Sequence, residues 1–473
     1  MNSGNQKPSL VHDRRKREPK TYHFRALLQS TGWISPAFVY IDDRGIIRSI
    51  SQSNPGSDTA VEYVNGFAVP GFQNAHSHAF QFAMAGRAEK HEGNTEDDFW
   101  SWREAMYACA LNMDPEQLQA VAAMLYVEML KRGYTHVAEF QYLHHDKDGK
   151  PFTNLAEMSV SLVAAAALAG IKITLIPVFY QKGGFGKNAA PGQRRFCFRD
   201  TEQYFKLLDD CYRVVKHLSN SRLGFGVHSL RAADAEDIIR IVNDGPGDIP
   251  FHIHAAEQLK EVNDALAFLK ERPVAWLLNH VDLNERFHLV HCTHLSDDEV
   301  LRLAESKAHV VLCPGTEANL GDGVFRLTEF SRNSSHWSIG TDSQISLNPL
   351  EDLRWLDYSQ RLSSHKRNTF SDGASVLVEN TFYSGKSAMG IRVSDFFETG
   401  RPLDAVVYSG DSPLLNAAGV EHLLSTIVYS ADGTSVAGTL VDGEWICTTG
   451  RHRNEEEIVK AFQQAMEKIS KGR

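Results

Sequence analysis

The sequence predicts an α/β fold: a large (β/α)8 TIM-like barrel with a small β-sandwich domain built from both chain ends. Eight β-like apolar runs occur in order between Phe67 and Thr341, and amphipathic helical segments separate most of them. Apolar strands that alternate with helices are typical of a parallel sheet covered on both faces, and eight such units close a barrel. Short alternating segments near both termini indicate the smaller domain.

The small domain is predicted from two separated parts of the chain. Near the N-terminus, the run AFVYI, the turn residues DDRG at 42–45 and the run IIRSI predict a β-hairpin. Near the C-terminus, similar β-like segments are LDAVVYSG at 403–410, STIVYSADG at 425–433 and GTLVDGEWICTTG at 438–450. We therefore expect a disordered polar tail over 1–20, the sandwich over 21–70 plus 395–473, and the barrel over 71–394.

The barrel strands and helices are assigned from the apolar pattern. In chain order, the predicted strands are FAVPGF, THVAEF, IKITLIPVF, LGFGVH, FHIHAA, FHLVHC, AHVVLC and HWSIGT. Predicted helices between them include PEQLQAVAAMLYVEMLKRG, TEQYFKLLDDCYRVVKHL and the stretch from Glu257 to His280. The segment FWSWRE before the second strand is also predicted to be helical.

Composition narrows the classes of function. The 473 residues are 42% hydrophobic and 23% charged, which is typical of a folded protein rather than a disordered one. The net charge of −10 provides no basic field for nucleic acid or an anionic membrane. The N-terminus lacks a secretory signal, the apolar stretch before Ile171 is too short to span a bilayer, and the six cysteines are scattered. We expect a cytoplasmic protein that acts on a small molecule.

Polar residues follow the predicted strands at the end of the barrel where TIM barrels carry their chemistry. The chain contains 21 histidines, and histidine serves both as metal ligand and as proton shuttle. The polar residues after the strands are Gln73, His76, His78, Gln81, Glu139, Gln141, Tyr142, His228, Arg231, His254, Glu257, His291, His294, Glu317, Asn319, Asp342 and Ser343.

Part of this set is suited to a metal ion. His76 and His78 lie on the same side of an extended backbone, although this motif alone is weak evidence. A third His and an Asp after strands five and eight favour a divalent ion such as zinc, with a position open for water. On strand five His252 and His254 both have suitable spacing, but His254 is nearer the barrel mouth. VHSLRA after strand four offers no Lys or Glu to bridge a second ion, so one metal is favoured.

Two acidic residues have a functional and a structural explanation. Glu257, three residues after His254, can reach over a metal as a proton shuttle. It is explained equally well as a carboxylate at a helix N-terminus that the helix dipole stabilises. Asp342 in GTDS is explained equally well as a helix cap or Asx turn. Only the full set of residues favours catalysis.

The strings NAHSHAFQFAMAG, FWSWRE, AEFQYLHHD, GGFG with QRRF, HSLRA, HAAEQ and GTDSQISLNPLEDLRWLDY lie between residues 74 and 361. They resemble the amidohydrolase superfamily in its one-metal deaminase branch, and within it the family of formimidoylglutamate deiminases (N-formimino-L-glutamate iminohydrolases). The resemblance implies one divalent ion, zinc first and iron or manganese as alternatives, held by His76, His78, His254 and Asp342. It implies catalytic roles for Glu257, His291 and Asp342, and substrate contacts from Gln81, Arg103, Tyr142, His228 and Arg231.

The implied reaction is metal-dependent hydrolytic deimination of N-formimino-L-glutamate to N-formyl-L-glutamate and ammonia, in histidine degradation, by a homodimer. The dicarboxylate end of that substrate needs local cations, for which Arg231 and Arg103 are suited, although Arg103 is equally explained as a surface charge. The alternatives are a deaminase of the same fold that acts on a cytosine-like or guanine-like ring, and a non-enzymatic scaffold, which would be expected to lack ligands. We also expect the Gly-rich segment 181–196 to be a lid, with Phe185 or the pair Arg194 and Arg195 touching substrate; a plain flexible insertion is the competing explanation.

Overall fold

The computed structural model describes residues 18–56, 60–87, 89, 99–333 and 335–471. Most of the predicted tail over 1–20 therefore lies outside the described residues, and a strand already begins at Lys20. Within the described residues, no helix combines the length and the apolar character needed to cross a membrane.

Eight parallel strands form a barrel, hydrogen-bonded to one another in chain order. The eighth strand approaches the first through a parallel bridge between Ser77 and Asp342. The Asp342 N–H donates to the His76 carbonyl at 3.0 Å, and the His78 N–H donates to the Asp342 carbonyl at 3.2 Å. The predicted (β/α)8 barrel is confirmed, and its strands are Phe72–Ser77, Tyr134–Gln141, Lys172–Phe179, Phe225–Ser229, Phe251–Ala255, Phe287–His291, His309–Leu312 and His336–Ile339.

The first predicted strand, FAVPGF, is wrong in its position. Residues 67–70 end a longer strand, Val61–Pro70, that belongs to the second sheet, and the barrel strand begins only at Phe72. Gly71 joins the two at a point where a Cβ atom would lie 2.3 Å from the Thr135 side chain. The run is buried in both sheets, so the apolar pattern contains no signal for the change of sheet.

Helices connect the strands and cover the barrel. The stretch predicted as one helix from Glu257 to His280 forms two, because Lys270 takes a left-handed conformation (φ +65°) and Pro273 starts a new helix. The helices from the first barrel strand onwards are Phe99–Asn112, Pro115–Lys131, Glu157–Ala169, Thr201–Val215, Ala235–Asp244, Leu259–Leu269, Pro273–His280, Asp297–Glu305, Pro314–Leu320, Leu327–Ser331, Pro349–Ser364 and Gly373–Ala388, with short 3-10 turns at Ala79–Met84, Pro191–Gln193 and Leu230–Ala232.

Both chain ends contribute to a second, mixed sheet of nine strands, in agreement with a small β domain built from both ends. Val61–Pro70 joins the two parts, since it pairs in parallel with Lys20–Gln29 and antiparallel with Ala405–Ser409. The other strands are Gly32–Ile34, Ala37–Ile41, Ile47–Ser51, Val436–Val441, Glu444–Thr448 and Arg451–His452, and the helices of this part are Pro413–Ala417, Val420–Ser430 and Glu455–Lys471, with a 3-10 turn at Gly433–Ser435.

The predicted β segment STIVYSADG is wrong. Its first part completes the helix Val420–Ser430, which buries Leu423, Ile427 and Val428. Ile427 and Val428 follow Leu423 by four and five residues, so the three side chains lie on one side of the helix. Packing of this side overrides the strand preference of the β-branched residues.

Four histidines at the amino ends of adjacent barrel strands form a stack that we call the histidine ladder: His252, His288, His309 and His336. Neighbouring rings are 4.7, 4.7 and 5.0 Å apart between centroids and nearly parallel. The end of helix Gly373–Ala388 packs against them, because His252 Nε2 lies 3.2 Å from the Ala388 carbonyl oxygen and His309 Nε2 lies 3.2 Å from Ser387 Oγ. The ladder lies at the end of the barrel opposite the residues described next.

Candidate metal and active site

Three imidazoles and one carboxylate meet at the carboxyl ends of the barrel strands. His76 Nε2 lies 3.1 Å from both His78 Nε2 and His254 Nε2. Asp342 Oδ1 lies 3.4 Å from His76 Nε2 and 3.2 Å from His78 Nε2. All four side chains are buried, and their ligand atoms lie within 4.8 Å of one another. The structure thus brings together the four residues that the sequence singled out as ligands.

The hydrogen bonds behind these rings decide which way their lone pairs point. His78 Nδ1 lies 3.0 Å from the Phe140 carbonyl oxygen, and His254 Nδ1 lies 2.9 Å from the His228 carbonyl oxygen. A carbonyl oxygen only accepts hydrogen bonds, so both Nδ1 atoms must be donors. In a neutral imidazole the Nε2 atom then has no hydrogen and presents a lone pair. Both lone pairs face His76 Nε2.

The charge state of the cluster suits a divalent metal ion. Burial, with the neighbouring His78, lowers the pKa of His76 to about 3, and burial also holds the pKa of His254 well below its usual value. Burial raises the pKa of Asp342, but its close contacts with the Nε2 atoms of His76 and His78 outweigh it and keep this pKa well below the ordinary range. Converging imidazole lone pairs with one ionised carboxylate are a donor set that zinc and similar ions prefer. The residues present therefore fit such an ion.

Glu257 and His291 lie beside this cluster. His291 Nδ1 lies 3.2 Å from Glu317 Oε1, and His291 Nε2 lies 3.8 Å from both Glu257 Oε1 and Asp342 Oδ2. Burial lowers the pKa of His291, but the charges of these carboxylates outweigh it and raise the pKa to about 10. His291 and Asp342 both have positive φ, +71° and +46°, which is costly for residues other than glycine and concentrates at functional sites.

A cavity opens from the cluster towards the outside. Its aromatic walls include Trp102, Tyr107, Tyr180 and Phe196, and the five residues predicted as substrate contacts also line it: Gln81, Arg103, Tyr142, His228 and Arg231. Gln81 Nε2 donates to the Tyr142 hydroxyl at 2.9 Å, while Gln81 Oε1 has no hydrogen-bond partner among the described residues. The cavity is thus polar beside His76, His78, His254 and Asp342, the group of predicted ligands that we call the metal cluster, and aromatic around its sides.

Arg231 has a second set of contacts that the sequence did not predict. Its NH2 group lies 3.2 Å from Glu257 Oε2, and its NH1 group lies 3.1 Å from Glu261 Oε2. Glu261 is fully buried and accepts from the Glu257 backbone N–H at 3.1 Å. Arg231 therefore fixes the orientation of the Glu257 carboxylate while it also faces the cavity.

Sequence reasoning missed several supporting residues. The sequence identifies Glu317 only as a polar residue after strand seven, whereas in the structure it accepts from the Cys313 N–H at 2.8 Å and holds His291. Glu139 accepts from the Ser77 hydroxyl at 2.8 Å and the Ala79 N–H at 2.6 Å, which orients the turn that carries His78. Burial raises the pKa of Glu139 to about 7. A carboxylate directly after an apolar strand is the one signal that pointed to both.

The segment 181–196 is folded against the barrel, with a short hairpin, Lys182–Gly184 and Lys187–Asn188. The prediction that Arg195 touches substrate is wrong, because its guanidinium is buried and donates to the backbone carbonyls of Ala110, Met113 and His145. Arg194 is exposed and donates to the Lys147 and Pro191 carbonyls. Phe185 packs 6.0 Å from Phe268, beside an outer cavity that Arg103 and Arg231 also line.

Comparison with known proteins places this site in a family. Residues 67–446 match the model of the amidohydrolase family. A formimidoylglutamate deiminase of Pseudomonas aeruginosa is 41% identical over 448 residues, which is 93% of this chain and 97% of that protein. A 5-methylthioadenosine/S-adenosylhomocysteine deaminase of Haloarcula marismortui is 24% identical over 84% of this chain and 85% of that protein.

Solved structures agree with this placement. An amidohydrolase from Brucella melitensis superimposes with a TM-score of 0.88 at 39% identity, over 95% of this chain and 99% of that chain. An adenosine deaminase from Xanthomonas campestris, solved with bound zinc, has a TM-score of 0.78 at 20% identity, over 96% of this chain and 100% of that one, and shows the fold alone. The chain belongs to the amidohydrolase family.

Proposed function

We propose that this chain is a metal-dependent hydrolase that deiminates N-formimino-L-glutamate to N-formyl-L-glutamate and ammonia. The observation that carries the proposal is the 41% identity, over nearly the whole of both chains, to a protein named formimidoylglutamate deiminase. The residues around the metal cluster supply the groups that such a hydrolysis needs.

One divalent metal ion would be held by His76, His78, His254 and Asp342. Zinc is the first candidate, and Fe²⁺ and Mn²⁺ are the alternatives. When bound, such an ion is a Lewis acid that makes water a competent nucleophile at neutral pH. The carbonyls of Phe140 and His228 fix the tautomers of His78 and His254, because each accepts a hydrogen bond from Nδ1. Carbonyl contacts of this kind orient metal-binding imidazoles in other proteins.

Hydrolysis replaces the terminal nitrogen of the formimino group by oxygen, and both protons of the water end on the departing ammonia. Asp342 is placed to accept the first proton, because Oδ1 faces the histidines while Oδ2 faces His291 Nε2 at 3.8 Å. The charges of Glu257, Glu317 and Asp342 raise the pKa of His291, which favours the imidazolium form with a hydrogen on Nε2. That N–H therefore donates a hydrogen bond to the oxygen that attacks the formimino carbon.

Glu257 delivers protons to the departing nitrogen. Its Oε1 faces His291, and its Oε2 is held by Arg231 at 3.2 Å, so the carboxylate has one fixed orientation beside the reacting carbon. General acid–base transfer by a positioned carboxyl group typically contributes about 100- to 10,000-fold to a rate. Glu257 is the residue on which the chemical step depends most after the metal ligands.

The glutamate part of the substrate is held farther out in the cavity. Arg231 and Arg103 provide guanidinium groups for its carboxylates, which arginine can bind in bidentate fashion. The Tyr142 hydroxyl, the Gln81 amide and the His228 ring complete a polar wall near the metal cluster. These cations offset the net charge of −10, which would otherwise repel a dianion.

A second candidate is deamination of a ring substrate. The aromatic side chains around the cavity favour it, since Trp102, Tyr107 and Tyr180 could stack on a planar ring. The two arginines that line the cavity, Arg103 and Arg231, favour the dicarboxylate instead, because guanidinium groups bind carboxylates in bidentate fashion.

One assay separates these candidates. Ammonia release is measured from N-formimino-L-glutamate, N-formimino-L-aspartate, cytosine and guanine with one protein sample whose metal content is determined in parallel. We expect turnover of N-formimino-L-glutamate with about one equivalent of divalent metal. Activity on a ring compound alone would overturn the proposal in favour of the second candidate. Action as a cytoplasmic homodimer in histidine degradation stays a prediction.

A further inference from the structure

A second cavity lies at the amino ends of the barrel strands, opposite the metal cluster, where the barrel meets the nine-stranded sheet. It is bordered by the second and third strands through His136 and Lys172, by the strand Ser221–Leu223 through Arg222, and by helix Gly373–Ala388 through Lys386. Arg401, which precedes the strand Ala405–Ser409, completes this border. We call it the floor cavity.

Most carboxylates along this cavity are already engaged by donors of the protein. Lys172 Nζ lies 2.7 and 2.6 Å from the two oxygens of Asp404 and 2.7 Å from Asp442 Oδ1. Asp442 Oδ2 accepts from Asn220 Nδ2 at 2.8 Å. Glu398 accepts from Ser394 and from Arg401. Lys172 thus shares its single positive charge between Asp404 and Asp442 and has no capacity left for a ligand.

Two other cations on the same cavity lack such partners. Lys386 is only 8% exposed, yet its ammonium makes no hydrogen bond or ion pair with any residue that the structure describes, and its Nζ lies 5.5 Å from the centre of the Phe382 ring. The Arg222 guanidinium likewise has no carboxylate partner within the described ranges. His136 Nδ1 is buried and also lacks a partner there. Isolated buried ammonium groups are costly unless a counter-ion is present.

The charges of these side chains act on one another. Burial, together with the positive charges of Lys172, Arg222 and Arg401, lowers the pKa of Lys386 to about 8, and Asp404 only partly opposes this. Burial and the charge of Arg401 also lower the pKa of Arg222. Cations held together in this way are mutually destabilising until an anion lies between them.

We propose that the floor cavity is a binding site for a small oxyanion, a phosphate or carboxylate group, held by Lys386, Arg222 and Arg401. Lys386 supplies the buried ammonium and Arg222 supplies a guanidinium fork from the more exposed side, while Arg401, which also donates to Glu398 and to the Arg392 carbonyl, adds its positive charge beside them. The site is separate from the metal cluster, since none of the residues that line the floor cavity also lines the cavity at the cluster.

Isothermal titration calorimetry of the metal-loaded protein tests this inference. Inorganic phosphate and glutarate are titrated separately at constant ionic strength set with chloride, into the wild type, Lys386→Met, Arg222→Gln and Arg367→Gln. Lys386→Met removes the buried charge at nearly constant length, Arg222→Gln removes the charge of an exposed side chain, and Arg367 is an exposed arginine outside the cavity lining.

We expect one of the two anions to bind the wild type and Arg367→Gln equally, with at least a tenfold weaker affinity in both Lys386→Met and Arg222→Gln. Binding of phosphate alone assigns a phosphate site, and binding of glutarate alone assigns a carboxylate site. Absence of binding by either anion overturns the proposal. Binding that is unchanged in both Lys386→Met and Arg222→Gln also overturns it, because the anion then occupies another place such as the metal cluster.

Discussion

The two ends of the barrel both concentrate histidine, but they arrange the rings differently. At the mouth, the His76 ring is nearly perpendicular to the rings of His78 and His254, at 85° and 88°, and the Nε2 atoms approach to 3.1 Å. In the ladder at the floor, neighbouring rings are within 23–29° of parallel and meet through their faces. Only the first arrangement directs several lone pairs at one point.

The backbone explains the difference. The ladder histidines lie inside regular parallel strands, in register with one another, so their side chains leave the sheet in the same direction. His78 and Asp342 lie just beyond the ends of their strands, where the chain leaves the sheet and Asp342 has a positive φ. Two of the four proposed ligands thus come from irregular backbone beyond strand ends, while His76 and His254 lie within strands, so the number of histidines alone does not predict a metal site.

His254→Gln and His252→Gln give the largest and most direct test of this contrast. The two residues are buried on the same strand, two positions apart. We expect His254→Gln to lose the metal and to reduce ammonia release to the assay background, because one of three imidazole ligands is removed. His252→Gln should retain both, since glutamine can still donate to the Ala388 carbonyl. Metal analysis and steady-state kinetics of the two variants measure this, and equal metal loss in both would contradict the contrast.

Glu257→Gln separates metal binding from proton transfer at the mouth. Glutamine keeps the size and one acceptor for Arg231 but cannot carry the proton, so we expect kcat to fall by about 100- to 10,000-fold with unchanged metal content. The exposed Glu305→Gln is the control and should match the wild type. Turnover near the wild-type level in Glu257→Gln would remove this residue from the proposed mechanism.

Much of the mouth was predictable from the sequence, because its residues follow apolar runs directly and parallel strands bring such positions together. His76, His78, His254 and Asp342 were found in this way, and the structure places their ligand atoms within 4.8 Å. The contacts of Gln193 with the Tyr107 and Tyr180 hydroxyls, at 3.0 and 2.6 Å, could not be predicted from the sequence. The Tyr107 contact joins a loop to a helix 86 residues earlier, and no local pattern specifies that approach.

The floor was less predictable for a related reason. Lys386 lies on a helix whose sequence gives no sign that it ends against the barrel, and Arg222 lies on a short strand, Ser221–Leu223, that was not predicted. The cavity forms where the barrel meets the second sheet, so Arg222 lies beside Lys386 and Arg401, which follow it by 164 and 179 residues in the sequence. Such a surface is defined by packing between distant parts of the chain.

Arg231→Met tests the outer part of the mouth, with a smaller expected effect. Loss of a charged hydrogen bond to a substrate carboxylate should raise KM by about 10- to 150-fold. Because Arg231 also holds Glu257, we expect kcat to fall as well, and this distinguishes it from Arg103→Met, which should change KM alone. Arg231→Lys should restore part of kcat, since a cation beside Glu257 and Glu261 is retained. Unchanged kinetics in Arg231→Met would exclude both roles.

His309→Gln tests the ladder through stability and has the smallest expected effect. Burial lowers the pKa of His309 to about 3, whereas an imidazole in the unfolded chain titrates near 6.5. Between these values the unfolded state binds one more proton than the folded state at this residue, so its contribution to stability is lost as pH falls below about 6.5.

The size of this effect follows from the same linkage. One such histidine changes the free energy of unfolding by about 1.4 kcal/mol per pH unit across that window. We therefore expect His309→Gln, in which the amide can still bond to Ser387 Oγ, to have a shallower loss of stability between about pH 6 and pH 4 than the wild type. Urea unfolding at a series of pH values measures the slope, with the exposed His422→Gln as the matched control. An identical slope in His309→Gln and the wild type would contradict this prediction. It would mean that His309 takes up its proton in the folded state, so that burial in the ladder does not keep the imidazole neutral.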